Sequence, residues 1–228
     1  PIDAASPRSI IDMRTSLLEV LREIKERDWT PSIRIYADGT TRPYRAMNGG
    51  GYTLEALLGI KPNGRSEPDY LGWEIKAYSS DRVTLMTPEP DGGFYGKNGV
   101  EAFLRKYGHP RSKDDSIYFT GLHRVGVRHE STGQLLTLEG YDAANQKIVD
   151  VNGGITLWDT DGNQSAVWTY PDLIAHWGRK HANAAYVKYQ RREISGYQYQ
   201  YLSPVLLGVG TEFNKYLQAM HSGMVIYD

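Results

Sequence analysis

The stretch from Pro68 to Ala77 constrains this chain more than any other feature, because it joins an acidic turn to a short apolar strand. In a β-strand, residues i and i+2 point to the same face and lie roughly 6.6 Å apart. Glu74 and Lys76 therefore share one face, while Trp73 and Ile75 point to the other face, towards a core. The pattern predicts a pocket that holds a carboxylate beside an amine.

Asp69 precedes this strand and predicts a second carboxylate in the same pocket. It stands five residues before Glu74, which is the wrong parity for one flat strand, so the backbone must turn or bulge between them. Gly72 permits such a turn. Two converging carboxylates repel each other unless a cation lies between them, and oxygen ligands without cysteine favour Mg²⁺ over zinc. The backbone carbonyl of Ile75 is a candidate further ligand.

A second Glu-Xaa-Lys tripeptide, Glu23 to Lys25, shows that the tripeptide alone is weak evidence. It lies in a helical pattern, where residues i and i+2 are about 200° apart and cannot act together. The interpretation therefore depends on the strand context and on the preceding Pro68-Asp69 pair. The alternative is that Glu74 and Lys76 form a solvent-exposed pair without chemistry.

With Pro68-Asp69, four intervening residues and then Glu74-Ile75-Lys76, the chain resembles the PD-(D/E)XK nuclease superfamily. The wider stretch, Gly50 to Ile60 followed by Glu67 to Ala77, is similar to the MutH-like branch, and within it to the restriction endonucleases typified by MvaI and BcnI. In that family a glycine-rich segment precedes a helix with an acidic residue. The resemblance therefore adds Glu55 to the predicted site.

The resemblance implies an α/β (α+β) fold of the PD-(D/E)XK restriction-endonuclease type, in which helices flank a central mixed β-sheet and a β-rich lobe recognises DNA. It implies a type II restriction endonuclease that depends on Mg²⁺ and acts as a monomer on double-stranded DNA. Such an enzyme would cut one strand at a time, leave a 5′-phosphate and target a short pseudopalindrome such as CC-N-GG.

The resemblance also implies a role for each site residue. Asp69, Glu74 and the Ile75 carbonyl would bind the metal. Lys76 would orient or deprotonate the attacking water, and Glu55 would bind a second metal or hold its water.

Hydrophobic periodicity predicts the elements around this site. Helices are expected at Ser9 to about Arg27, Leu54 to Leu58 with Thr53 as cap, Val100 to Tyr107, Pro171 to about Lys180, and after Thr211. Strands are expected at 33–36, 73–77, 83–87, 117–120, 124–129, 134–141, 147–151, 155–158, 166–169, 186–191, 197–201 and 224–227. Within a single nuclease domain, residues 1–110 are expected to form approximately the catalytic lobe and 111–228 the DNA-recognition lobe.

The formal net charge of −1 argues mildly against a nucleic-acid partner, but the charge is unevenly distributed. The segments Lys97 to Lys113 and Arg179 to Arg192 are strongly basic, and they suit the walls of a nuclease cleft. The alternative is a solvated surface. The candidate DNA-binding residues are Lys180, Lys188, Arg191 and Arg192.

The run from Tyr197 to Tyr201 alternates tyrosine and glutamine, which places three tyrosines on one face of a strand. Two interpretations are open. The tyrosines stack on DNA bases while the glutamines read adenine edges, or the run is a half-buried strand with a polar outer face.

Composition sets the outer limits of these expectations. With 228 residues, 40% of them hydrophobic and 23% charged, the chain is large enough to bury one sizeable core. No apolar run approaches the roughly 20 residues of a membrane span, and no secretory signal opens the chain. We therefore expect no membrane partner and a location in the prokaryotic cytoplasm. The absence of cysteine excludes disulfides and thiolate metal sites.

Two other functions share parts of this pattern. A mismatch-repair nickase similar to MutH carries the same motif and would nick hemimethylated sites. A DNA-binding module without catalysis is the alternative from a different class. The chain begins at Pro1, so it is also expected to be one domain of a longer protein with an effector domain. It ends at Asp228, before the basic, histidine-bearing loop that reads bases in the family, which leaves the base-reading residues open.

Overall fold

The computed structural model describes residues 10–61, 68–110 and 116–228, with side chains throughout except at residues 10, 179 and 180. The helices in these ranges are α1 (Ile10–Glu26), α2 (Gly49–Leu57), α3 (Gly93–Tyr107), α4 (Tyr170–Lys180) and α5 (Phe213–His221). The strands are β1 (Thr30–Pro31), β2 (Ile33–Ile35), β3 (Thr41–Pro43), β4 (Glu74–Tyr78), β5 (His109–Pro110), β6 (Ile117–Tyr118), β7 (Leu135–Glu139), β8 (Tyr141–Asp142), β9 (Lys147–Ile148), β10 (Gly154–Trp158), β11 (Gln164–Thr169), β12 (Asn183–Glu193), β13 (Tyr197–Tyr201) and β14 (Leu206–Val209).

The chain forms two compact units, and both are discontinuous in sequence. One unit contains the residues up to Met86 together with Arg179–Thr211, and the other contains Thr87–Gly178 together with Glu212–Asp228. These boundaries differ from the expected division at residue 110. The reason is that β12, β13 and β14 pair with one another and with β4, so the C-terminal strands belong to the unit that carries the predicted site.

The sheet of the first unit is built on β12. Its first half pairs with antiparallel β14 and with parallel β4, and its second half pairs with antiparallel β13. Strand β1 extends the sheet beyond β13. The sheet is therefore mixed, as expected. Because paired residues of parallel strands share a face, Ile75 and Ala185 point into the core while Lys76 and Tyr186 point to the opposite face.

Helix α1 supplies the other side of this core. Leu17, Leu21 and Ile24 recur at three- and four-residue spacing and are buried, which is the stripe that the sequence predicted. Trp73 is buried in the same cluster. The core therefore holds one face of β4 in place. As a result, the Glu74 side chain points away from the core.

Helix α2 differs from its prediction in where it begins. It starts at Gly49, so the glycines expected as a flexible segment form its first turn, and Thr53 lies inside the helix instead of capping it. The Thr53 hydroxyl accepts a hydrogen bond from the Ile33 amide and donates one to the Ile33 carbonyl. The hydroxyl thus holds α2 against β2, and the expected cap is wrong because the tertiary contact takes its place.

The second unit is centred on the antiparallel sheet β11-β10-β7. The expected strands at 134–141, 155–158 and 166–169 are found there with small shifts in their ends. The expected strand at 124–129 is reduced to isolated bridges, and so is the one at 224–227. The expected strand at 83–87 is wrong, because these residues form no ladder. None of the described helices is both long and apolar enough to cross a bilayer.

Candidate active site

A tight turn brings Asp69 onto the strand that carries Glu74. The backbones of Tyr70 and Trp73 exchange two hydrogen bonds, and the two residues between them have positive φ, 49° at Leu71 and 77° at Gly72. This is the geometry of a type I′ turn, which glycine accepts without strain. One carboxylate oxygen of Asp69 then accepts a hydrogen bond of 2.9 Å from the Ile75 amide. The predicted turn is confirmed.

Glu74 and Lys76 form an ion pair on the face opposite the core. Lys76 Nζ lies 2.8 Å from Glu74 Oε1, and the Glu74 side chain is only 4% exposed against 20% for Lys76. The second oxygen, Glu74 Oε2, is buried without a hydrogen-bond partner among the described residues. The interpretation of these residues as a solvent-exposed pair is therefore wrong. The carboxylate has one oxygen satisfied and one available to a ligand.

Glu55 joins the same electrostatic site from α2. The pKa of Glu55 is raised to about 7, chiefly by burial and in second place by the negative charge of Asp69. Glu74 contributes a smaller repulsion, while the positive charges of Lys76 and Arg34 oppose these effects. The three acids predicted from sequence are thus close enough to influence one another.

A pocket of about 350 Å³ opens beside these groups. Glu55 and Lys76 line it, and Tyr189 from β12 forms part of its wall. The rest of the wall comes from the start of α2, from β4 and from the segment after β4, where Arg82 and Thr84 contribute polar groups. Of the residues expected to form a strand at 83–87, Val83 and Thr84 line this pocket instead.

The donor set suits a hard cation such as Mg²⁺. Among the described residues, no group of three or more His, Asp or Glu side chains is arranged to hold a metal by itself. Mg²⁺ does not require such a group, because it usually keeps several waters and binds one or two carboxylates together with substrate phosphates. The unpartnered oxygen of Glu74 and the mutual repulsion of the acids are the features that a cation would relieve.

Comparison with known proteins places the chain in a family. The sequence profile of the MvaI/BcnI restriction endonuclease family matches residues 18–228. The chain belongs to this family. Among solved structures, the complex of the restriction endonuclease MvaI with its cognate DNA substrate has a TM-score of 0.72 at 16% identity, over 94% of this chain and 82% of that one. At this identity the likeness shows that the two proteins share a fold.

A second solved structure, MvaI in the absence of DNA, has a TM-score of 0.42 at 15% identity, over 95% of this chain and 82% of that one. A search of curated protein sequences finds no match.

The basic residues expected to bind DNA differ in where they lie relative to the acids of this candidate site. Lys188 is exposed on β12, two residues after Tyr186, which pairs with Lys76. It therefore shares a sheet face with the Glu74 and Lys76 pair. The side chain of Lys180 lies outside the described residues.

Arg191 and Arg192 lie further along β12 and are already engaged by neighbouring groups. The Arg191 guanidinium stacks on Tyr197 and donates a hydrogen bond to the Met47 carbonyl. Arg192 stacks on Trp29 at 4.2 Å. These two residues are not brought into contact with the acids.

Strand β13 is a structural strand. Tyr199 and Tyr201 are fully buried, and the Tyr201 hydroxyl donates a hydrogen bond of 2.7 Å to the Gly50 carbonyl. Gln198 and Gln200 bond to neighbouring side chains on the outer face. The interpretation in which the tyrosines stack on bases is therefore wrong for Tyr199 and Tyr201.

Two residues near the acids were not singled out from the sequence. Tyr186 lies beside Lys76 across the parallel pairing, and burial together with the charge of Glu74 raises its pKa. Arg34 on β2 contributes positive charge beside Glu55. Alternation along β12 did place Tyr186 and Lys188 on one face, but nothing local indicates that β12 pairs with β4.

Proposed function

We propose that this chain is a Mg²⁺-dependent type II restriction endonuclease that hydrolyses phosphodiester bonds of double-stranded DNA at a specific site. The observation that supports this proposal best is the convergence of Asp69, Glu74 and Lys76 at one turn and strand. Glu74 is held there with one buried oxygen unpartnered. Membership of a restriction endonuclease family supplies the reaction class.

Asp69, Glu74 and the Ile75 carbonyl would hold Mg²⁺ beside the scissile phosphate. Bound there, the ion supplies a Lewis acid that draws charge from the phosphate oxygens. The hydrogen bond from the Ile75 amide fixes the direction of the Asp69 carboxylate before any ligand arrives. The fixed carboxylate reduces the reorganisation needed during reaction.

As an ammonium, Lys76 orients the attacking water and its charge offsets the negative charge that develops on the phosphate. Only the neutral amine form of Lys76 would take the proton of the water instead. The water oxygen attacks phosphorus in line, the bond to the 3′ oxygen breaks, and the phosphate remains on the 5′ end. The ion pair with Glu74 keeps the Lys76 ammonium at the site. Glu55, which lines the pocket from α2, would bind a second metal or hold its water.

The finer properties in this proposal rest on the resemblance to the family. They are cleavage by a monomer one strand at a time, a target similar to CC-N-GG, and action in the prokaryotic cytoplasm. Phosphate contacts are proposed for four basic residues: Lys180, Lys188, Arg191 and Arg192. Of these, Lys188 lies on the sheet face that carries Glu74 and Lys76. The unit that contains β4 would act as the catalytic lobe and the other as the recognition lobe.

Incubation of the protein with unmethylated plasmid DNA, with and without Mg²⁺, tests the proposal. We expect discrete fragments that require Mg²⁺, carry 5′-phosphates and are absent with Glu74→Ala and Lys76→Ala. The matched control is Glu23→Ala, which changes the exposed glutamate of the second Glu-Xaa-Lys tripeptide and should cleave as the wild type does.

The other outcomes of this assay assign other functions. Nicking confined to hemimethylated sites would indicate a MutH-like nickase. Intact DNA under every condition, with binding retained, would contradict catalysis and indicate a DNA-binding module.

A further inference from the structure

Arg34 is held in a tyrosine cage, which consists of Tyr36, Tyr44 and Tyr52. Its guanidinium carbon lies 4.1 Å from the ring centroid of Tyr52, 5.5 Å from that of Tyr36 and 5.7 Å from that of Tyr44. The Tyr44 and Tyr52 rings also pack edge to face on each other. A guanidinium stacked in this way loses little further freedom when it binds a ligand.

The cage places Arg34 next to the acidic site. Tyr52 and Glu55 are three residues apart on α2 and therefore lie on one side of that helix. The Thr53 hydroxyl fastens β2 to α2 through both backbone groups of Ile33, the residue before Arg34. The guanidinium is thus held at a fixed place beside the Glu55 carboxylate, whose pKa its charge lowers.

The hydrogen-bonding capacity of Arg34 is not fully used within the described part of the chain. Its Nε is buried without a hydrogen-bond partner. Arg42, its cross-strand neighbour on β3, differs in this respect because it forms an ion pair of 2.6 Å with Asp38. A half-buried cation with unused donors is costly unless a ligand supplies acceptors.

We propose that Arg34 binds the backbone phosphate next to the scissile one and so positions the DNA strand on the site. This inference rests on the proposed endonuclease function. The Tyr52 ring covers one face of the guanidinium and Nε is buried, so the edge formed by the two terminal nitrogens is the part that remains to bind a ligand. That edge carries parallel N–H donors, which match two oxygens of a phosphate.

A purely structural role for Arg34 makes different predictions. In that case the guanidinium only offsets the negative charge of Glu55, and removal of that charge should rescue an Arg34 variant. In the phosphate-binding role, Glu55→Gln does not restore DNA binding to Arg34→Gln. The two roles are therefore separated by measuring the double variant.

The first experiment measures DNA affinity against salt, with Ca²⁺ in place of Mg²⁺ so that binding is followed without cleavage. Arg34→Gln should bind about tenfold more weakly at low salt and lower the slope of log K against log salt by about 0.9, the value for one phosphate contact. Arg34→Lys should keep the slope of log K against log salt but lose affinity, because lysine retains the charge and lacks the paired N–H donors of a guanidinium. Arg42→Gln is the matched control and should change neither. A thermal melt establishes that each variant is folded.

The second experiment changes the DNA and measures its binding to the wild type and to Arg34→Gln. Methylphosphonate linkages neutralise one phosphate at a time around the mapped cleavage position. One linkage next to the scissile phosphate should weaken wild-type binding about tenfold and have no further effect on Arg34→Gln. Equal effects of every linkage on both proteins, or an unchanged salt slope in folded Arg34→Gln, overturn the inference while wild-type cleavage upholds the proposed function. Absence of both binding and cleavage in the wild type overturns both.

Discussion

The ammonium of Lys76 lies 2.8 Å from one carboxylate oxygen of Glu74, and the other oxygen of that carboxylate is buried without a partner in the described structure. A buried carboxylate that is only half satisfied costs stability. Such a cost persists at sites where a ligand completes the coordination. We therefore expect a ligand to bind the unpartnered oxygen of Glu74 when the protein acts.

The two partners of this pair should differ in how their replacement affects the free energy of unfolding. Lys76→Met leaves a buried charge without its cation and should lower the free energy of unfolding by about 2–3 kcal/mol. Glu74→Gln removes that charge and should leave stability unchanged or slightly higher. Both variants should lose cleavage. Urea unfolding in EDTA measures the difference, and equal destabilisation by both variants would contradict the assigned geometry.

Asp69 combines a structural and a chemical role that two substitutions separate. Asp69→Asn keeps an oxygen acceptor for the Ile75 amide but loses the charge, so it should fold normally and lose at least about 100-fold in cleavage rate. Asp69→Ala also leaves that amide unpaired and should cost an additional 1–2 kcal/mol, roughly the price of one buried hydrogen bond. Single-turnover cleavage and urea unfolding of the two variants test this. If Asp69→Asn cleaved DNA at the wild-type rate, Asp69 would be excluded as a metal ligand.

Glu55 should make the metal-free protein less stable as pH rises. Its pKa is about 7 in the folded protein against an ordinary value of 4.5, so the folded state holds a proton that the unfolded chain has lost. Stability therefore falls between these two values, and the loss is complete above the higher one. Glu55→Gln should remove this slope and be more stable by about 1–2 kcal/mol at alkaline pH, after allowance for solvent in the pocket.

The test is urea unfolding in EDTA across this pH range for both proteins. Added Mg²⁺ should stabilise the wild type at alkaline pH more than it stabilises Glu55→Gln. Parallel pH profiles for the two proteins would show that the Glu55 carboxyl is not desolvated.

Neighbouring glycines at the start of α2 should respond differently to alanine. A Cβ at Gly50 would overlap the Tyr189 ring, whereas one at Gly51 meets nothing. Gly50→Ala should therefore cost about 1–3 kcal/mol, and Gly51→Ala should stabilise the helix by about 0.5–1 kcal/mol. Thermal melts of the two variants check this, and similar melting temperatures would show that α2 does not press on Tyr189.

The acidic turn and strand were predictable because their determinants are local. Parity along the chain required a turn between Asp69 and Glu74, and Gly72 supplied the residue that accepts positive φ. The stripe of α1 was likewise readable from the spacing of its apolar residues. The mixed sheet agreed with the expected fold.

Other features depend on contacts between residues far apart in sequence. The parallel pairing of β4 with β12 sets Tyr186 beside Lys76, and no local signal indicates it. Helix α2 includes Gly49 and Gly50 because packing against Ser32, Tyr199 and Tyr189 overrides the low helix propensity of glycine. The cage around Arg34 was not predictable either, since its three tyrosines come from the segments that follow β2 and β3 and from α2.

The most direct test of the central claim is single-turnover cleavage of the mapped site by the wild type, Glu74→Gln and Lys76→Met, with DNA affinity measured in parallel. We predict that both variants bind the site within about tenfold of the wild type and cleave at least about 1,000-fold more slowly, because they lose groups that act on the reacting phosphate. Cleavage at the wild-type rate by either variant would contradict the assignment of this turn and strand as the catalytic centre.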